Sequence, residues 1–143
     1  PMSQRMTDDE RRAFLTAGTR TGKLAVVRAD GTPHVVPVWF VLDGDDVLFN
    51  TGAATVKGKA LVRDGVACLC VDEEVAPFAY VMLAGPVELS EDLDEMLPWA
   101  TRIAARYMGD EQADAYGRRN ATAGELLVRL RPERVVALRG IAD

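Results

Sequence analysis

The stretch Asp46-Val47-Leu48-Phe49-Asn50-Thr51-Gly52-Ala53-Ala54-Thr55-Val56-Lys57-Gly58-Lys59-Ala60-Leu61-Val62-Arg63-Asp64 decides how the rest of the chain is read. Val47 and Phe49 alternate with Asp46, Leu48 and Asn50, the period of a mostly buried strand, and Thr55 is placed to cap a helix that follows. Strand end, small-residue turn and helix start therefore meet at one point. A helix start carries unpaired backbone N–H groups and a partial positive charge, so with Lys57 and Lys59 in its first turn it suits a phosphate. Gly58 between the lysines is expected to let a ligand approach the backbone closely. A solvated helix with idle lysines has the same composition, so the surrounding chain has to decide.

At 143 residues, 48% of them apolar, the chain fits one domain over 1–143 with a real core. Its 17 Lys and Arg against 22 Asp and Glu give a net charge of −5, which argues against nucleic acid or an anionic membrane as general partner. Any anion is bound locally. No run reaches the ~18 apolar residues needed to span a bilayer, and Pro1-Met2-Ser3-Gln4-Arg5-Met6 lacks an apolar signal core, so a cytoplasmic location is expected. Cys68 and Cys70 lie two apart in the apolar run Val66–Val71 and read as core thiols, too far apart along a strand for a disulfide and too few for a metal site.

On the N-terminal side, Thr7-Asp8-Asp9-Glu10 has the capping-box pattern of a helix start, and Gly18 is a natural stop. The β-branched runs 22–28 and 33–42 flank an Asp30-Gly31 hairpin signal, and Asp43-Gly44-Asp45 makes a second turn. The first three strands are thus expected to form an antiparallel meander, with Pro37 marking a bulge, an edge or an unpaired position. On the C-terminal side a strand containing the cysteines precedes a long run, 78–89, bent at Gly85-Pro86. A Ser90-capped segment follows, with Pro98 restarting a helix that Gly109 ends, then a helix over 111–117, a loop over 118–124 and closing strands at 125–130 and 134–138. Six or seven strands with hairpin spacing and few helices point to a mainly β, α+β fold: a small antiparallel barrel with peripheral helices.

Hydrolytic chemistry is disfavoured, since the only histidine, His34, sits beside Pro33 with no G-x-S-x-G elbow. The glycine-rich dinucleotide and Walker loops are absent as well. Carboxylates are scattered over turns and helix starts, where capping explains them. Aromatic residues are few, which makes Trp39, Phe78 and Tyr80 candidates to line a flat apolar slot, with core packing as the ordinary alternative.

The order of strand Leu24–Arg28, Asp30-Gly31-Thr32-Pro33-His34-Val35-Val36-Pro37-Val38-Trp39, strand Val47–Thr51, Lys57-Gly58-Lys59-Ala60-Leu61-x-x-Asp64 and Tyr80–Gly85 resembles the pyridoxamine 5′-phosphate oxidase-like split-barrel superfamily over about residues 8 to 139. Lys57-x-Lys59-x-Leu61-x-x-Asp64 after a strand looks most like the branch that uses the deazaflavin coenzyme F420 as F420-dependent reductases. True pyridoxamine phosphate oxidases carry an arginine-rich strand motif for FMN and substrate phosphate, and Val35–Trp39 has no arginine.

The resemblance implies a six-stranded antiparallel split β-barrel, paired as a homodimer with two shared sites between subunits. It implies that Lys57 and Lys59 hold the cofactor phosphate, aided by Asn50 and Thr51, and that Pro37 and Val38 lie against the tricyclic ring. Pro77, Phe78 and Tyr80 are implied to close the slot from the partner subunit. The activity implied is hydride transfer from reduced F420 to the activated C=C bond of a planar small molecule such as an α,β-unsaturated lactone or ester. Tyr80 and solvent are the candidate proton donors. The alternatives on the same barrel are an FMN-dependent oxidase or reductase and a non-catalytic flavin- or tetrapyrrole-binding protein.

Overall fold

A computed structural model describes residues 3–143; Pro1 and Met2, the first residues of the polar N-terminal segment, lie outside the described residues. A two-residue strand β1 (Gln4–Arg5) leads to helix α1 (Asp8–Thr16), which opens with the expected capping box. The Thr7 hydroxyl accepts from the Glu10 N–H at 3.1 Å, and the Glu10 carboxylate accepts from the Thr7 N–H at 3.0 Å. Strands β2 (Gly22–Val27) and β3 (Pro33–Val38) form the first hairpin, and the Asp30 carboxylate accepts from the Thr32 N–H and hydroxyl in its turn. Pro37 pairs with Lys23 in this hairpin, and β3 is an edge strand, so the missing N–H of proline leaves no ladder bond broken on its free side.

The run 33–42 does not continue as one strand. It divides at Trp39 and Phe40 into β3 and β4 (Val41–Asp43), and β4 pairs with β5 (Asp46–Gly52) at the far end of the sheet from β3. The expected three-strand meander is therefore two separate hairpins. Long-range partners cause the break: the Phe40 N–H donates to the Tyr107 hydroxyl at 3.2 Å and its carbonyl accepts from the Arg106 guanidinium at 2.8 Å, while the ring is fully buried. Side chains that satisfy the backbone at residue 40 replace a strand neighbour there.

Helix α2 (Val56–Asp64) follows with Thr55 as its N-cap and Gly65, at φ 68°, as a left-handed C-cap. Strand β6 (Val66–Glu73) pairs with β2 and with the long β7 (Ala79–Ser90). As expected, β7 bends at Gly85-Pro86: residues up to Ala84 pair with the last strand, β9 (Arg134–Arg139), and those from Val87 onward pair with β8 (Glu125–Leu130). A Cβ at Gly85 would stand 2.2 Å from the Arg131 carbonyl oxygen, so only glycine lets the β8–β9 connection cross so close.

Helix α3 (Leu93–Met108) is one 16-residue element, capped by Asp92 rather than Ser90, and Pro98 lies inside it rather than restarting it. Met96, Ala100, Ile103 and Ala104 form a buried stripe that carries the helix across the one hydrogen bond proline forfeits. Helix α4 (Asp110–Asn120) extends three residues past the expected Gly117 stop. Strands β8 (Glu125–Leu130) and β9 (Arg134–Arg139) close the chain.

The antiparallel strands run in the order β3-β2-β6-β7-β8-β5-β4, with β9 also on β7 and β1 on β9. This curled sheet with peripheral helices is the split-barrel class; the nine strands among the described residues exceed six or seven because the 33–42 run divides and β1 is added. The barrel core holds Leu24, Phe40, Phe49, Leu61, Leu69 and Leu130, all fully buried. Leu48, on the opposite face of β5, packs under α3 with Met96, Ile103 and Leu127, so β5 is buried on both sides. Cys68 and Cys70 correct the expectation of core thiols. They are half-buried on the outer face of β6, because Ala67, Leu69 and Val71 fill the inner one. No helix among the described residues is long and apolar enough to cross a membrane.

Candidate functional site

At the start of α2 the sequence builds a tight corner. The Thr55 hydroxyl accepts from the Gly58 N–H at 3.1 Å and donates to the Gly52 carbonyl at 2.7 Å; Thr51 therefore donates in its 3.4 Å contact with the same oxygen. Thr51 is buried and its hydroxyl is committed to this turn. Gly58 is buried too: a Cβ there would stand 2.1 Å from the Gly52 carbonyl oxygen. The close approach that requires this glycine is thus made by the strand–helix turn of its own chain, not by a ligand.

Beside this corner lies an open cavity of about 350 Å³ between the end of β3, the end of β5 and helices α3 and α4. Pro37, Val38 and Trp39 form an apolar wall, and Asn50, Thr51, Gly52, Lys57, Asn120 and Glu125 form a polar one. Trp39 stacks on Tyr107 with ring centroids 5.1 Å apart and planes 3° from parallel, which holds a flat aromatic surface at the rim. Tyr107 is fixed in turn, its hydroxyl donating to the Arg20 carbonyl at 2.8 Å.

Asn50 carries an unsatisfied group. Its Nδ2 donates to the Asn120 carbonyl at 3.5 Å, while its buried Oδ1 has no partner. A buried amide oxygen without a donor is costly, and it matches a hydroxyl or N–H of a ligand rather than an ionised phosphate oxygen. Glu125 stands opposite Gly52 in the β5–β8 ladder. Burial pushes its carboxyl above the ordinary range and the charge of Lys57 works against that rise. The cavity thus offers a cation, a carboxylate, a free amide acceptor and a flat apolar wall.

Of the residues singled out in the sequence, the fold brings Pro37, Val38, Asn50, Thr51 and Lys57 to this cavity. Lys59 is exposed and does not line it, since residues two apart on a helix point to nearly opposite sides. Pro77, Phe78 and Tyr80 belong to another part of the chain, where Phe78 and Tyr80 line a shallow surface with Asp72, Glu73, Glu74 and Ile141. Phe78 adopts φ 65°, unusual for an aromatic residue, and the Ile141 N–H ties its carbonyl at 3.2 Å. Trp39, a candidate for the apolar slot, lines it as well, and Gly52, Ile103, Asn120 and Glu125 complete the cavity, the last two from the end of α4 and the start of β8.

A family model described as pyridoxamine 5′-phosphate oxidase matches residues 7–139, almost the whole chain. The chain belongs to the pyridoxamine 5′-phosphate oxidase family. Among functionally curated proteins no sequence matches it. Solved structures do. A conserved hypothetical protein of Mycobacterium tuberculosis superposes with a TM-score of 0.82 at 24% identity, over 94% of this chain and 86% of that one. A protein titled F420 reductase superposes with a TM-score of 0.69 at 25% identity, over 86% of this chain and 94% of that one. A protein of Mesorhizobium loti titled FAD-binding superposes with a TM-score of 0.69 at 21% identity, over 96% of this chain and 98% of that one.

Proposed function

We propose that the protein is an F420-dependent oxidoreductase of the pyridoxamine 5′-phosphate oxidase family, acting on an activated C=C bond of a planar small molecule such as an α,β-unsaturated lactone or ester. The observation that carries this reading is the single cavity that joins Lys57 to the Pro37–Trp39 wall with no arginine on β3. Likeness to the F420 reductase structure supports it.

The residues present fit a reduced deazaflavin. Lys57 would hold its phosphate, and Pro37, Val38 and Trp39 would lie along its ring. The orphaned Oδ1 of Asn50 would accept from a hydroxyl or N–H of the bound molecule. When bound, the deazaflavin supplies a hydride, so no protein nucleophile is needed. The chain's own part is to fix ring and substrate face to face and to keep the apolar side of the slot dry. The half-reaction also consumes a proton, which comes from solvent or from Tyr80. Tyr80 does not line the Lys57 cavity of its own chain, so it acts there only from a second copy.

We further infer a homodimer that shares its sites. The outer face of the β3-β2-β6-β7-β9 sheet carries Val27, Val35 and Val66, half or more exposed, with the half-buried Cys68 and Cys70 between them in register. A second copy of the chain would cover this face and bring Pro77, Phe78 and Tyr80 to the cavity of its neighbour. Free thiols at Cys68 and Cys70 agree with a cytoplasmic enzyme.

The test is to mix the purified protein with reduced F420 and a coumarin-type lactone, then with reduced FMN, following cofactor oxidation and loss of lactone together. Lactone reduction with F420 and little with FMN is expected. Faster reduction with FMN, or FMN binding about tenfold tighter, which is about 1.4 kcal/mol, would overturn the choice of cofactor. Binding without turnover of any acceptor would instead favour a carrier role.

A further inference from the structure

Lys57 and Glu125 are the charged side chains that line the cavity. They come from α2 and β8 and share the space without forming an ion pair with each other among the described residues. Every other wall is neutral: Pro37, Val38 and Trp39 at the end of β3, Asn50, Thr51 and Gly52 on β5, Ile103 on α3 and Asn120 on α4. An anion that reaches Lys57 therefore meets one positive and one negative group, and the other lining residues add no second cation. Glu125 is half-buried, so solvent does not fully screen its field across the cavity.

Such a site discriminates by charge. A phosphomonoester such as that of FMN carries about −1.5 to −2 at pH 7, because its second pKa is near 6. A phosphodiester carries a single negative charge and cannot gain a second. Lys57 balances the first charge of either ligand, and the Glu125 carboxylate repels whatever charge remains. The deazaflavin coenzyme joins its phosphate to the tail as a diester.

We propose that Glu125 is a specificity-determining residue, which makes the Lys57 cavity take a singly charged phosphodiester in preference to a doubly charged phosphomonoester. This rests on the reading that Lys57 holds the cofactor phosphate. Glu125 acts by charge and not by chemistry on the reacting atoms, so its signature lies in binding and in pH.

The experiment compares two ligands that differ only in that charge: FMN and its phosphate methyl ester. Both are titrated by quenching of flavin fluorescence into the wild type, Glu125→Gln, Glu125→Asp and Lys57→Ala, with riboflavin as the ligand lacking phosphate. At about pH 7.5 the wild type should bind the methyl ester roughly tenfold more tightly than FMN, and Glu125→Asp should keep most of that ratio. Glu125→Gln should bring the ratio to within about threefold by strengthening FMN, with riboflavin unchanged, and lowering the pH to about 5.5 should do the same in the wild type, as the monoester gains a proton and the Glu125 carboxyl, raised by burial, loses charge. An unchanged ratio in Glu125→Gln, or a methyl ester that does not bind the wild type, overturns the proposal. Lys57→Ala separates the two readings: if it weakens both esters while Glu125→Gln leaves their ratio intact, only the role of Glu125 fails. If Lys57→Ala weakens neither ester, the phosphate anchor fails and the proposal falls with it.

Discussion

Gly58→Ala is the substitution on which intrinsic helix preference and packing disagree in sign. Gly58 lies inside α2, where replacing glycine by alanine favours a helix by about 1 kcal/mol. The new methyl, however, would stand 2.1 Å from the Gly52 carbonyl oxygen and 3.1 Å from Ala53 Cα and carbonyl carbon, all of it backbone that cannot swing aside. To regain an ordinary contact the helix start has to retreat by roughly 1 Å, at the upper end of the 1–3 kcal/mol that overpacking costs. That retreat also strains the bond from the Gly58 N–H to the Thr55 hydroxyl, a cap worth about 1 kcal/mol. The net expectation is a loss of about 2–3 kcal/mol, or a fall in Tm of roughly 5–12 °C for a chain of this size. Thermal and urea unfolding followed by circular dichroism would measure it, with Lys59→Ala, on the exposed side of the same helix, as a control that should barely move. Cofactor affinity should fall as well, because Lys57 rides on the displaced turn. A Tm that is unchanged or raised in Gly58→Ala would refute the close turn, and with it the corner on which the site is built.

Lys57→Ala should weaken F420 binding by roughly tenfold to a hundredfold, the worth of a charge-assisted contact of about 1.5–3 kcal/mol, and calorimetry would read it directly. Arg63→Ala should change that affinity little, since its guanidinium is engaged with Asp64 and the Val27 carbonyl; equal small losses in both would remove the helix start as anchor. Light scattering should give a mass near twice 15.5 kDa, and a strict monomer that still binds cofactor would end the shared-site reading. Tyr107→Phe should lower stability by about 1–3 kcal/mol in urea unfolding, because it strips the partner from the Phe40 N–H and from the Arg20 carbonyl while keeping the ring against Trp39. An unaltered midpoint would mean that water takes over both bonds.

What the sequence determined by itself is whatever neighbours along the chain decide. Thr7 and Glu10 fix a helix start between them, Thr55 and Gly65 bound α2, Asp30-Gly31 sets a hairpin, and Gly85-Pro86 bends β7, each within a few residues. Part of the candidate cavity is local in the same sense, since Asn50, Thr51, Gly52 and Lys57 follow one another across one turn. Two-sided choices were not readable. Ala67, Leu69 and Val71 are no more apolar as a set than Val66, Cys68 and Cys70, so only the closed barrel says which set faces inward. The strand 33–42 divides because Tyr107 and Arg106, more than sixty residues away, satisfy the backbone of Phe40. Gly58 reads along the chain as open to a ligand, whereas the turn at Gly52 fills that space. Glu125 and Asn120 carry no mark in the sequence at all. They reach the cavity through the antiparallel register that sets Gly52 opposite Glu125 and through the packing of α4, and a contact made by strand pairing over such a separation is decided by the tertiary structure alone.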